Sequence, residues 1–158
     1  MTNIRFQPGK FLIILSIFLF YAIYLVSPKI AYSIDSIEES NLMQRAYEFL
    51  NEGETEYALQ LYDEILSVNP THIHALNYKG LALASLGNYE EAIQWYDKVL
   101  GINPTDLSAL NNKGVALYNL GYYEEAIQWY DKVLDIDPND SDAKYNKNIA
   151  LLSLNKSK

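Results

Sequence analysis

The chain of 158 residues has no cysteine, only two histidines, and seven scattered glycines. Without cysteine there is no disulfide framework, no thiol nucleophile and no thiolate metal site. Neither a Gly-rich phosphate loop nor a nucleophile elbow occurs. The histidines, His72 and His74, form an HxH pair after Pro70 with no third ligand at a recognisable spacing. They therefore read as polar residues at a helix start rather than as a metal site. Catalytic, metal-ligating and cofactor-binding residues are all expected to be absent, and the chain reads as non-enzymatic.

Positive charge is also scarce, and it is unevenly placed. The first 33 residues carry three of the twelve Lys and Arg and none of the twenty acids. The other 125 residues hold nine basic against twenty acidic groups, a net of about −11. A body this acidic repels phosphate backbones, which argues against a nucleic-acid partner. Residues 11–28, FLIILSIFLFYAIYLVSP, are uncharged and follow Arg5 and Lys10. As a helix they rise about 27 Å against a hydrocarbon core of roughly 30 Å, which fits a single-pass anchor. The pattern Ala31-Tyr32-Ser33 equally fits a signal cut near Ser33, after which the body would be secreted. In either case the basic flank holds the N-terminus on the cytoplasmic side and the acidic body outside.

The body repeats. Residues 73–106 and 107–140 are identical at 24 of 34 positions, and residues 39–72 keep Gly53, Ala58, Tyr62 and Pro70 in the same register. The expected organisation is an N-terminal segment at 1–33, a linker at 34–38, units at 39–72, 73–106 and 107–140, and a capping helix at 141–158. Each unit shows two helical patterns separated by a glycine and closed by a proline. In the third unit Leu110, Gly114 and Leu117 share one arc of a helical wheel, and Tyr123, Ala126, Ile127, Tyr130, Val133 and Leu134 share another. Glu124, Glu125, Gln128, Asp131, Lys132 and Asp135 fall opposite that second arc. Gly121 suits a left-handed helix end, and Pro138 stops the second helix. Seven of the fourteen tyrosines (Tyr57, Tyr62, Tyr89, Tyr96, Tyr122, Tyr123 and Tyr130) lie in second helices or their entries, where they read mostly as copied core.

These residues resemble the tetratricopeptide repeat. Leu76, Gly80, Leu83, Ala92, Tyr96 and Pro104 occupy its pattern in the second unit, and Leu110, Gly114, Leu117, Ala126, Tyr130 and Pro138 in the third. The first unit matches with Leu42, Ala46, Phe49, Ala58, Tyr62 and Pro70. Leucine replaces the usual tryptophan of the first helix, and Lys79 and Lys113 stand where an apolar residue is usual. The resemblance implies an all-α, right-handed superhelical α-solenoid of three units plus a C-terminal capping helix.

It further implies that the first helices line a concave groove for a protein or peptide partner. The groove arc then comprises His74, Asn77, Tyr78 and Leu81 in the second unit, and Ser108, Asn111, Asn112, Val115, Tyr118 and Asn119 in the third. Tyr145 and Asn146 continue it in the cap. Asparagine offers uncharged donors and acceptors suited to a peptide backbone, and tyrosine adds apolar area with a polar tip. Family members that clamp a terminal carboxylate use Lys, Asn and Arg, whereas the equivalent arc here carries Met43, Tyr47, Tyr78, Ser108 and Asn112. Two other ladders read as structural: Lys79, Lys113 and Lys147 as stems with inter-repeat ion pairs, and Trp95 and Trp129 as covers of the junction with the next unit. Self-association through the incomplete fourth unit, or service as an accessory to a membrane complex, is the alternative to a partner-binding scaffold.

Overall fold

The computed structural model describes residues 37–157, and the expected membrane or signal segment at 1–33 lies outside them. Residues 42–158 form one compact unit, which holds the repeats. Seven helices and no strands occur among the described residues: α1 (37–52), α2 (Thr55–Val68), α3 (Ile73–Ser85), α4 (Tyr89–Ile102), α5 (Leu107–Asn119), α6 (Tyr123–Ile136) and α7 (Ser141–Ser157). None of these is long and apolar enough to cross a membrane. Residues 37 and 38, expected at the end of a linker, are already helical. Acidic Glu38 and Glu39 suit a helical first turn, where carboxylates favour the positive end of the dipole.

Local chemistry sets the helix ends three times over. Gly53, Gly87 and Gly121 take φ of +81°, +84° and +84°, a conformation that other residues rarely adopt. Each follows a first helix and closes it with a paired bond. The Asn88 N–H donates to the Leu83 carbonyl at 2.9 Å and the Gly87 N–H to that of Ala84 at 3.0 Å; Tyr122 and Gly121 repeat this against Leu117 and Tyr118. At the other end of α3, α5 and α7 a side chain caps the N-terminus. His72 Nδ1 accepts from the Ala75 N–H at 3.0 Å, Asp106 from Ala109 at 2.9 Å and Asp140 from Ala143 at 2.7 Å. His72 thus acts at a helix start, with its ring centroid 6.1 Å from that of His74.

The core lies between successive helices, each packed on its chain neighbour from α2 to α7. Tyr62, Tyr96 and Tyr130 are at most 1% exposed and form its centre together with Ile65, Leu76, Val99, Leu110 and Val133. The small residues of the first helices exist for these rings. A Cβ on Gly80 would lie 2.6 Å from Tyr96 Cε1, and one on Gly114 would lie 2.5 Å from Tyr130 Cε1. The copied tyrosines are not all core, however. Tyr57 and Tyr122 are more than half exposed and Tyr89 and Tyr123 are half-buried.

The lysine ladder ties repeat to repeat. Lys79 on α3 pairs with Asp63 on α2, Lys113 on α5 with Asp97 on α4, and Lys147 on α7 with Asp131 on α6. Lys79 also lies 3.9 Å from the Trp95 ring centroid and Lys113 lies 4.0 Å from that of Trp129, with Lys98 and Lys132 each 3.4 Å from the same rings. Each of these two lysines therefore joins the preceding unit's aspartate to its own unit's tryptophan, its stem packed and its cation paired. Trp129 additionally packs on the clusters that hold Ala143 and Ala150 of α7. On α7 the register of Leu76, Gly80 and Leu83 is occupied by Lys144, Asn148 and Leu151, all exposed. Two of the three positions that would meet a second helix are polar, which is what a solvated cap requires.

Candidate peptide-binding groove

First helices stand side by side, α3 against α5 and α5 against α7. Asparagines on each first helix bond across the gap to the next. Asn112 Nδ2 donates to Asn77 Oδ1 at 3.4 Å, and Asn146 Nδ2 donates to Asn111 Oδ1 at 3.1 Å. Each pair joins residues 35 apart, one repeat plus one position, so the same link recurs along the array. An amide has two N–H donors and two acceptor lone pairs, so each asparagine keeps capacity for a further bond after pairing.

Between these helices lies a cavity of about 340 Å³ lined by His74, Asn77, Tyr78 and Leu81 of α3, Leu107, Ser108, Asn111 and Asn112 of α5, and Asp140 and Asp142 at the start of α7. Tyr78 is held by two other rings. It stacks on Tyr62 with centroids 6.2 Å apart and planes at 11°, and it meets Tyr47 edge-on at 5.6 Å. The Tyr62 hydroxyl behind it is buried without a hydrogen-bond partner among the described residues. Its burial, and then the nearby Tyr78 and Tyr47 hydroxyls, raise its pKa above the ordinary tyrosine value. No lysine or arginine lines the cavity. Among the described residues no cluster of three or more His, Asp or Glu is placed to hold a metal.

Seven of the twelve groove positions named from the sequence meet in this cavity: His74, Asn77, Tyr78, Leu81, Ser108, Asn111 and Asn112. The other five do not line it. Val115 is half-buried against the Leu117 cluster, and Asn119 folds back to donate to the Val115 carbonyl of its own helix at 2.8 Å. Tyr118 is taken up by neighbours, its ring centroid 5.3 Å from that of Tyr123 and its Oη 3.1 Å from Ser153 Oγ on α7. Asn146 braces Asn111 from the next helix, and Tyr145 is exposed outside the cavity. Leu107, Asp140 and Asp142 belong to the lining and were not among those positions. Asp140 holds the register of Asp106 and His72, so the helix-start signal marked it, but a wheel of one helix does not show that the turn before the next helix closes the groove.

Three family models match overlapping stretches, a TPR repeat model at residues 80–121 and tetratricopeptide repeat models at 108–140 and 61–94. No curated protein sequence matches significantly. Among solved structures the chain is similar to the first TPR of Spaghetti (RPAP3) bound to the HSP90 peptide SRMEEVD, at 20% identity over 73% of this chain and 92% of that one, with a TM-score of 0.70. It is similar also to the Sgt2 TPR domain from Aspergillus fumigatus, at 20% identity over 76% and 81% of the two chains and a TM-score of 0.71. The first TPR domain of human RPAP3 is 19% identical over 75% and 93%, also with a TM-score of 0.71. Likeness at this identity concerns the fold. With overlapping repeat-model matches from residue 61 to residue 140 and the same fold in solved tetratricopeptide domains, the chain belongs to the tetratricopeptide repeat family.

Proposed function

We propose that this protein is a non-enzymatic scaffold that binds an extended segment of a partner protein in the groove between α3, α5 and α7. In this reading residues 11–28 hold it at a membrane with the repeats outside, or direct its export if they are removed. The observation that carries the groove reading is the set of braced, half-buried amides of Asn77, Asn111 and Asn112, which line an open cavity and retain donors and acceptors for a peptide backbone. Fixing those side chains before binding lowers the ordering cost that weakens flexible sites. The Spaghetti domain, similar in fold, is bound to a peptide, which supports a peptide as the class of ligand. End-to-end self-association has less in its favour, because Lys144 and Asn148 interrupt the exposed stripe of α7.

The groove is tested by panning a random peptide library against the full chain in detergent. Selected peptides are expected to lose at least tenfold in affinity when Asn77, Asn111 and Asn112 are changed together to Ala, with helical content unchanged. Peptides that bind the variant as well as the parent would end this reading. Mass spectrometry of the mature N-terminus separates tether from export: an intact Met1 or Thr2 means an anchor, and a start near Ile34 means cleavage.

A further inference from the structure

The charge of the groove points to a narrower ligand class. Its lining contains two carboxylates, Asp140 and Asp142, and no lysine or arginine. Five lysines of the array are engaged elsewhere, and Lys144, exposed on α7 beyond Asp142, does not line the cavity. Lys79, Lys113 and Lys147 are paired with Asp63, Asp97 and Asp131, and Lys98 and Lys132 lie over Trp95 and Trp129. Asp140 spends one oxygen on the Ala143 N–H, and its other oxygen has no partner among the described residues. Asp142 is exposed on the first turn of α7. The rest of the cavity is the His74 imidazole with amide, hydroxyl, phenol and aliphatic surface, which carries no further carboxylate and no lysine or arginine. One end of the groove is therefore negative and the other is uncharged.

Resting on the groove reading above, we infer that the occupant is an extended cationic peptide segment, with a lysine or arginine seated at the Asp140–Asp142 end and its backbone along the amides of Asn77, Asn111 and Asn112. A lysine or arginine there meets two carboxylates with no competing cation in the lining, and the acidic body steers such a segment inward over a longer range. A segment ending in acidic residues and a free carboxylate meets repulsion in the same place and finds no cation to neutralise it. The charge pattern thus rejects as well as selects, which is how related grooves on one fold separate their ligands.

The test uses the peptides recovered by panning against the full chain, measured by fluorescence anisotropy. Recovered sequences are expected to be enriched in Lys and Arg, and replacing those residues by Gln should weaken binding. The double variant Asp140→Asn, Asp142→Asn removes the charge, and Asn remains a good N-cap, so α7 keeps its start. It is expected to bind the cationic peptides roughly five- to tenfold more weakly at low salt, with the difference shrinking as salt screens the pair. Circular dichroism of the variant should match the parent. Neutral or acidic peptides that need Asn77, Asn111 and Asn112 but are indifferent to Asp140→Asn, Asp142→Asn would overturn the cationic ligand and leave the groove in place. Peptides indifferent to both sets of substitutions would overturn the groove reading itself.

Discussion

The two faces of α3 and α5 have had different histories. On the face turned to the second helices, Leu76, Gly80 and Leu83 recur unchanged as Leu110, Gly114 and Leu117. On the face turned to the groove, His74, Tyr78, Leu81 and Ala84 become Ser108, Asn112, Val115 and Tyr118, and only Asn77 recurs, as Asn111. The packed face meets the same partner in each unit, a buried tyrosine ring with no room beside it, so any change of volume there is felt. The groove face meets different neighbours in each unit, Tyr78 leaning on Tyr62, Tyr118 on Tyr123 and Ser153, and Ser108 standing exposed, so its side chains are not held to one shape. Asn77 and Asn111 stay alike because they also brace the next helix. Repetition thus marks what holds the array together, and divergence falls on the face proposed to bind a partner.

The strongest test of this contrast is alkaline pH. Burial raises the pKa of Tyr62, Tyr96 and Tyr130 above the ordinary value of about 10. Above that value the unfolded chain gives up these protons while the folded chain keeps them, so stability is full below about pH 10 and falls as pH rises further. Each ring costs about 1.4 kcal/mol per pH unit, about 4 kcal/mol for the three together. Urea denaturation at rising pH should show this fall, with ionisation of the buried tyrosines coinciding with unfolding. A midpoint that stays level past pH 10 would remove the tyrosine core as its source.

Gly114→Ala probes the packed face with a single carbon. The new Cβ falls 2.5 Å from the Tyr130 ring, a buried side chain with nowhere to go. Overpacking costs ~1–3 kcal/mol, partly offset by the ~1 kcal/mol that alanine gains over glycine in a helix. A net loss of up to about 2 kcal/mol is expected by chemical denaturation. A gain in stability would mean that the close approach is not a constraint. Ala46, buried at the same register of α1, shows that the first unit accommodates the extra carbon. The smallest effect is expected at Ser108→Leu, on the exposed groove face: a change within about 0.5 kcal/mol in stability, with loss of peptide binding. A destabilisation there equal to that of Gly114→Ala would erase the distinction between the faces.

Much of this was legible before any packing was known. The period of 34, the positive-φ glycines and the buried tyrosine of each unit are local or repeating signals. The lysines at the edge of the buried stripe already pointed to packed stems and ion pairs, which Lys79 and Asp63 display. The exposed tyrosines were less legible. Tyr57 and Tyr122 lie beside core residues in sequence but outside the helix-to-helix seam. For the groove, a wheel gives the direction of a side chain within its own helix and nothing about the helix beside it. That is why Tyr118 turned out to reach Ser153 on α7, and Asp140 and Asp142 to close the groove from the start of the next first helix.

Sequence alone determined the helices, their ends and the repeat, because these depend on contacts within a few residues and on a pattern copied at fixed spacing. The acidity of the body and the apolar run at 11–28 are likewise properties of composition. Only the tertiary structure decided which amides pair across α3, α5 and α7, which carboxylates close the groove, and which cations are already committed to aspartate and tryptophan. Those depend on the separation of helices 34 residues apart, which no pattern within a single helix carries.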